Sequence, residues 1–133
     1  MIRKNCLILM LFQFISCSLA VKEPKVPPID LFQGVWVNED SNTRGITKLD
    51  IKQDGPKLFV HAWGKCHPKD CDWGEEKGII RGKEAIVNWN QGVVVRTMTI
   101  FLHEENKLYV ITDNVYKDRR GRRRLVEFFI KGH

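Results

Sequence analysis

The sequence predicts an all-β protein whose simplest architecture is a single eight-stranded antiparallel up-and-down barrel. After Asp30, short runs rich in Val, Ile, Thr, Phe and Trp alternate apolar with polar residues at a period of two, which is typical of strands with one buried face. Turn residues separate these runs, and helical periodicity is hard to find. The chain has 133 residues, a length that favours one domain because each half of a divided chain would bury too small a core.

The first four predicted strands are separated by clear turn and loop signals. In the second strand, Leu49 and Ile51 share one face, and the residues beside and between them are lysine or aspartate. The turn Gln53-Asp54-Gly55-Pro56 ends this strand, since Gly accepts positive φ and Pro cannot continue a hydrogen-bonded ladder. A loop that contains two cysteines separates the third strand from the fourth. These strands are predicted at residues 34–38, 46–52, 58–64 and 73–80.

The last four predicted strands follow the same pattern. Ala85, Val87 and Trp89 share one face of the fifth strand. Asn106 suits a left-handed position in the hairpin after the sixth strand, and Gly121 turns the seventh strand into the eighth. These strands are predicted at residues 84–90, 93–103, 108–115 and 124–131.

Closing eight strands into a ring has a physical advantage over an open sheet. Closure removes the edge strands that an open sheet would expose to other chains. Eight strands also enclose an interior that is either just filled by side chains or just wide enough for one small ligand. A two-sheet β-sandwich is the alternative architecture.

Residues 1–20 are predicted to be a signal peptide. Arg3 and Lys4 precede an almost unbroken apolar run over residues 6–15, which is too short to span a bilayer. The protein is therefore expected outside the cytoplasm: secreted, periplasmic or lipid-anchored in a bacterial envelope. Without residues 1–20 the net charge falls from +6 to +4, a mild excess that does not by itself indicate nucleic-acid binding.

Two cleavage sites are compatible with this signal. Ser18-Leu19-Ala20 has small residues where a general signal peptidase needs them, which would give a mature start at Val21. Phe14-Ile15-Ser16-Cys17 resembles the lipobox of bacterial lipoproteins, in which case Cys17 is the lipidated N-terminus. Residues 21–31 then form a tether, and residues 32–133 form the β-barrel domain.

Only two cysteines lie beyond the signal region, and we predict that Cys66 and Cys71 form a disulfide in an oxidising compartment. They lie within W-G-K-C-H-P-K-D-C-D-W-G, which resembles a motif of uncharacterised secreted bacterial domains with no activity attached to it. A metal site would use both cysteines with His67 and either Asp70 or Asp72, but the second half of a structural zinc site is missing. We therefore expect neither a metal nor another cofactor.

The first strand carries the clearest family signal. Gly34-Val35-Trp36 resembles the Gly-x-Trp signature of calycin barrels, the group of lipocalins, fatty-acid-binding proteins and avidins. The resemblance implies a small barrel in which the tryptophan closes one end, often beneath an arginine from the last strand. Arg123 or Arg124 is the partner expected to stack on the ring. The resemblance implies a fold and not a particular ligand.

No catalytic constellation is recognisable, so we do not expect an enzyme. Ser41 is the only serine after residue 20, and no nucleophile-elbow pattern surrounds it. We expect a non-catalytic binding protein that holds a small apolar or amphipathic ligand in the barrel. The candidate ligand-binding residues are four tryptophans and a histidine: Trp36, His61, Trp63, Trp73 and Trp89.

The alternative function is an envelope protein-interaction or inhibitor module, acting through the Cys66–Cys71 loop or an arginine-rich hairpin. Arginine forks suit phosphate and carboxylate groups, so an anionic partner or surface is expected to bind at this hairpin. Nucleic acid is not expected, because aromatic residues are not interleaved with the charge. Membrane contact is expected only through the lipid anchor. The candidate arginines are Arg119, Arg120, Arg122 and Arg123.

Overall fold

A computed structural model describes residues 30–132, so the predicted signal peptide, the lipidation site at Cys17 and residues 21–29 of the tether lie outside the described residues. Within the described part, no helix has the length and apolarity needed to cross a bilayer. Eight antiparallel strands form one closed barrel in which each strand pairs with the next and β8 returns to β1. The strands are β1 (Gly34–Asn38), β2 (Ile46–Asp54), β3 (Lys57–Gly64), β4 (Cys71–Arg81), β5 (Glu84–Asn90), β6 (Val94–Glu104), β7 (Lys107–Tyr116) and β8 (Arg122–Lys131).

The barrel confirms the predicted fold class, and the observed strand ends lie within two residues of the predicted ones. Alternation places apolar side chains inside, as on β5, where Ala85, Val87 and Trp89 are at most 1% exposed. Inward side chains of this kind fill the part of the barrel nearest Trp36, which is therefore a packed core and not a hollow interior. The core consists of Phe32, Trp36, Ile46, Leu49, Ile51, Leu58, Val60, Ala62, Ala85, Val87, Trp89, Met98, Ile100, Leu108, Val110 and Phe129.

Trp36 seals the closed end of the barrel. Its side chain is fully buried, and its indole Nε1–H donates to the carbonyl of Phe32 at 2.8 Å. Gly34 has φ of +131°, and a Cβ there would lie only 2.7 Å from Lys131 Cε. The glycine of the Gly-x-Trp signature therefore leaves room for the lysine stem beside the tryptophan.

The cation over Trp36 is a lysine, so the expectation of Arg123 or Arg124 is wrong. The Nζ of Lys131 lies 4.5 Å from the ring centroid. Because β8 runs antiparallel to β1, Trp36 is paired with Lys131 at the end of β8, whereas both arginines belong to its beginning. The strand direction places those arginines at the opposite end of the barrel.

Two places in the barrel wall lack a full backbone ladder. The first lies beyond the C-terminal end of β1, at Asn38. There the carboxylate of Glu127 on β8 accepts hydrogen bonds from the Asn38 side-chain amide, from Thr43 Oγ1 at 2.6 Å and from the Ile46 N–H at 3.1 Å. One side chain thus joins β8 to β2 and to the loop between β1 and β2.

The second place lies between β4 and β5. These strands pair only between Gly78–Arg81 and Glu84–Val87, whereas residues 71–77 of β4, apart from the unpaired Trp73, pair with β3 alone. We call this opening the β4–β5 seam. The indole of Trp89 spans it from inside, because its Nε1–H donates to the Gly74 carbonyl at 3.2 Å.

Candidate functional site

The candidate site is the barrel mouth, the end opposite Trp36. The loops β1–β2, β3–β4, β5–β6 and β7–β8 meet there around a cup of about 410 Å³. This volume falls within the range of small-molecule sites, near its lower end. The cup is lined by Arg44, Gly45, Gly64, Lys65, Cys66, Cys71, Asp72, Trp73, Gln91, Arg96, Asn114, Tyr116, Arg123 and Leu125.

A β-bulge in β4 directs Trp73 into the mouth. Trp63 pairs with Asp72 and Ala62 pairs with Gly74, so Trp73 is an extra residue in the ladder. Its ring packs over the end of β3, where a Cβ on Gly64 would lie 2.7 Å from the indole Nε1. The Trp-Gly pairs of the cysteine motif therefore have a structural reason: a bulge aims the second tryptophan, and the first glycine makes room for it.

Arg96 forms the cationic floor of the mouth. It lies on the inner face of β6, between the buried side chains of Val94 and Met98. Its Nε donates to Gln91 Oε1 at 2.8 Å and its Nη1 donates to Asn114 Oδ1 at 2.6 Å.

Trp73 completes the support of this guanidinium. The Arg96 Cζ lies 4.3 Å from the centroid of the Trp73 ring, a cation–π distance, and Trp73 in turn contacts Trp89 edge-on with centroids 6.0 Å apart. Neutral groups therefore hold Arg96 in place, and its positive charge is not neutralised by any ion pair within residues 30–132.

Polar groups on β7 lie beside and below Arg96. Asn114 is 1% exposed, and its amide nitrogen donates to the Arg123 carbonyl at 3.4 Å. Thr112, also 1% exposed, lies two residues further into the barrel on the same face. Its Oγ1 has no hydrogen-bond partner among the described residues. The upper interior is thus polar, and the apolar core begins beneath it.

The cysteine loop forms one side of the mouth. Cys66 and Cys71 are joined by a disulfide, which confirms the pairing predicted from the sequence. Asp70 within the loop accepts a hydrogen bond from Thr47 Oγ1 at 2.7 Å, so the loop is also attached to β2. In the described chain, no cluster of three or more His, Cys, Asp or Glu side chains is arranged to hold a metal ion.

His61 and Trp63 lie outside the barrel and not at the mouth. Their rings stack in parallel with centroids 3.9 Å apart, and Lys48 covers Trp63 with its Nζ 4.1 Å from the ring. Asp72 accepts hydrogen bonds from the Gly74 N–H at 2.8 Å and from the His61 ring. The Gly74 bond first, and then the His61 bond, hold the pKa of the Asp72 carboxyl below its usual 3.8.

The five predicted ligand-binding residues thus occupy different parts of the fold. Trp73 lines the mouth, and Trp89 lies buried beneath it. Trp36 is at the closed end, and His61 and Trp63 share the outer face of β3.

Sequence reasoning missed Arg96, Gln91 and Asn114. The sequence did indicate Arg96, because this charged residue occupies a position on β6 at which the alternation predicts an inward, apolar side chain. For Asn114, the signal was a polar residue in register with the inward side chains of β7.

The arginine-rich hairpin divides into paired and unpaired side chains. Arg120 binds Asp118, with Nη2 2.7 Å from Oδ2, and Arg124 binds Asp113, with Nε 2.7 Å from Oδ1. Each arginine lowers the pKa of its aspartate chiefly through the side-chain hydrogen bond. Arg123 lies opposite the buried Asn114 on the inner face of the barrel and lines the mouth.

A larger groove of about 650 Å³ lies outside the barrel, between the β1–β2 loop and β8. Its central carboxylate, Glu127, already accepts hydrogen bonds from three donors, which join β8 to β1, to the β1–β2 loop and to β2. The groove is therefore better explained as a structural junction than as a binding site.

Comparisons with known proteins address the fold. No protein-family model matches the chain, and no curated protein matches it. Among solved structures, the chain is similar to bovine odorant binding protein in its complex with undecanal, with a TM-score of 0.51 and 14% sequence identity. The similarity covers 84% of this chain and 78% of that chain. Together with the closed eight-stranded topology, this similarity supports the fold, an eight-stranded antiparallel barrel, and leaves the ligand open.

Proposed function

We propose that the protein is an exported, non-catalytic binding protein that holds one small amphipathic ligand at the barrel mouth. The observation that carries the proposal is the construction of the mouth, where Trp73 and Arg96 form a supported aromatic and cationic surface inside a cup of about 410 Å³. Pockets of this kind combine apolar walls with a few oriented polar groups.

The packed core limits the depth at which a ligand binds. Trp89 and Met98 are at most 1% exposed beneath the mouth, so the ligand contacts the upper barrel and not its centre. The barrel fold itself supports a binding role, since bovine odorant binding protein forms its complex with undecanal on a similar fold.

Two indole signals provide a direct test. The protein is titrated with 1-octanol, octanoate and octylammonium while ¹⁵N–¹H NMR follows the Trp73 and Trp36 indole N–H groups. Binding at the mouth shifts the Trp73 signal and leaves Trp36 unchanged, because Trp36 is bonded to Phe32 at the other end of the barrel. The proposal fails if none of the three compounds shifts Trp73, or if Trp36 shifts equally.

Export is part of the proposal and has its own test. The intact mass of the protein isolated from its host distinguishes a mature start at Val21 from a lipidated Cys17. A chain that retains residues 1–20 in the host would contradict export.

A second candidate function is binding of an anionic partner or surface through the arginine-rich hairpin. The observation that favours it is that Arg119 and Arg122 are exposed and have no carboxylate partner within residues 30–132. Replacing both by glutamate is expected to abolish retention on anionic vesicles or heparin. Unchanged retention of the double variant would contradict this candidate.

A further inference from the structure

We propose that the ligand at the mouth carries an anionic head group, a carboxylate or a sulfate ester, and that Arg96 and Arg123 bind this group. The inference rests on the proposed function, because it names the chemical class of ligand for the same mouth. It specifies that the head group of the ligand is negatively charged and names two residues that bind it. Neither follows from the barrel fold alone.

Arg96 carries a positive charge that its neighbours do not balance. Its Nε and Nη1 donate to the neutral amide oxygens of Gln91 and Asn114, and these bonds orient the guanidinium without neutralising it. Its Nη2 has no hydrogen-bond partner in the described chain. Guanidinium groups bind carboxylates and sulfates with parallel N–H donors, and an oriented guanidinium with a free donor is suited to this binding.

The lining around Arg96 is predominantly cationic. Arg44, Lys65 and Arg123 line the same mouth as Arg96, and the carboxylate that lines it is Asp72. Asp72 is already bound to the Gly74 N–H and the His61 ring. Four cationic side chains and one carboxylate therefore line the mouth, and the lining carries a net positive charge.

The nearby hairpin carboxylates are also occupied. Asp113 binds Arg124, and Asp118 binds Arg120. Arg123 lies between Arg122 and Arg124 in sequence but is the one of the three that shares the inner face with Asn114. The cation that the hairpin contributes to the mouth is therefore Arg123, without an ion pair inside residues 30–132.

The mouth also has an apolar surface that the tail of a ligand can contact. Trp73, Tyr116 and Leu125 line the mouth beside these cations. A ligand with an anionic head and a short apolar tail satisfies both kinds of surface, whereas a bare anion satisfies only the cations.

The test compares ligands of equal length and different charge on the unmodified protein. Isothermal titration calorimetry measures octanoate, octyl sulfate, 1-octanol, octylammonium and inorganic sulfate, with the Trp73 indole signal reporting the location. Octanoate or octyl sulfate is expected to bind about tenfold more tightly than 1-octanol, as one charge-assisted hydrogen-bond pair would produce. The two anions distinguish a carboxylate site from a sulfate site.

Variants then assign the effect to residues. Arg96→Gln is expected to reduce the affinity of the preferred anion to that of 1-octanol, Arg96→Lys to restore part of it, and Arg123→Gln to reduce it several-fold. Arg124→Gln is the matched control, because it removes the same charge from a neighbouring residue that lies on the outer face and binds Asp113. This control is expected to leave the preference unchanged.

The outcomes separate this inference from the proposed function. Equal binding of 1-octanol and both anions overturns the anionic head group and leaves a neutral-ligand site at the mouth. A preference that survives undiminished in Arg96→Gln overturns the assignment of the head group to Arg96. Inorganic sulfate binding as tightly as octyl sulfate overturns the amphipathic class. A Trp73 signal that no compound shifts refutes the mouth itself, and the proposed function with it. The ligand series needs no variant, so the inference stays testable if a variant does not fold.

Discussion

The buried hydroxyl of Thr112 shows that the barrel interior is polar near the mouth. Its hydroxyl is buried among residues that offer it no hydrogen bond, on the strand face that also carries Asn114. A buried hydroxyl without a partner costs about 1–3 kcal/mol. Thr112 is therefore a place where the polar upper interior reduces stability.

Replacing Thr112 with valine is expected to stabilise the protein by about 1 kcal/mol, because the variant keeps the shape and removes the unsatisfied hydroxyl. Chemical denaturation measures the free energy of unfolding. Thr97→Val is the matched control, since the Thr97 hydroxyl donates to Asn88 Oδ1 at 2.8 Å on the exposed outer face. A Thr112→Val variant less stable than the parent would show that the hydroxyl has a partner in solution.

Asp72 provides a residue-level prediction about pH. Its folded-state pKa lies below 3.8, so its contribution to stability is fully present above that pH and is lost as the pH falls through the folded pKa. We expect a carboxyl ¹³C titration to show Asp72 ionised at a pH where an ordinary aspartate is protonated. In His61→Gln the pKa should rise and still remain below 3.8, because the Gly74 N–H stays in place. A pKa at or above 3.8 in the unmodified protein would contradict the arrangement.

At the scale of elements, Glu127 compensates for the shortness of β1. Glu127→Gln retains the shape of the side chain but loses at least one accepted hydrogen bond to a charged oxygen, and we expect a loss of about 1–3 kcal/mol in stability. Hydrogen exchange provides the specific readout, because the Ile46 amide donates to Glu127 Oε1. Its exchange should accelerate in the variant while amides of β6 and β7 keep their protection. Unchanged exchange at Ile46 would refute this role.

The strands were predictable from sequence because the alternation is a local property. Leu49 and Ile51 share the inner face of β2 as their spacing required. The bulge at Trp73 was not predictable in the same way, since it depends on the register between β3 and β4. Without that register, the spacing of the cysteine motif does not show which tryptophan enters the mouth.

The site was less predictable than the strands because it is assembled from several strands and loops that are far apart in sequence. Its polar members, Gln91, Arg96 and Asn114, lie on different strands or loops and meet only after the barrel closes. The cation over Trp36 depends on register in the same way, because the pairing of β1 with β8 determines that Lys131 lies opposite Trp36. Local patterns therefore predicted the wall of the barrel, and the barrel closure determined the site.

For the whole molecule, the β4–β5 seam predicts an uneven distribution of stability. Local opening requires little free energy where backbone groups lack a paired strand. We expect the amides of residues 72–77 that face β5 to exchange faster than those of β6 and β7, which are paired on both sides. Native-state hydrogen exchange measures the difference, and the β3-facing amides of the same stretch are the internal control. Equal protection across β4 would show that the seam closes in solution.

The seam also has a consequence for how these molecules behave when crowded. A stretch of strand with free backbone donors and acceptors is a template on which another chain can build cross-strand pairing. Here that stretch carries Glu75, Glu76 and Lys77 in succession, all exposed to solvent. Edge-to-edge pairing of two copies would bring three charged side chains of each molecule together, and charged residues on an unpaired strand disfavour such pairing. This clustering of charge opposes aggregation at the least complete part of the wall.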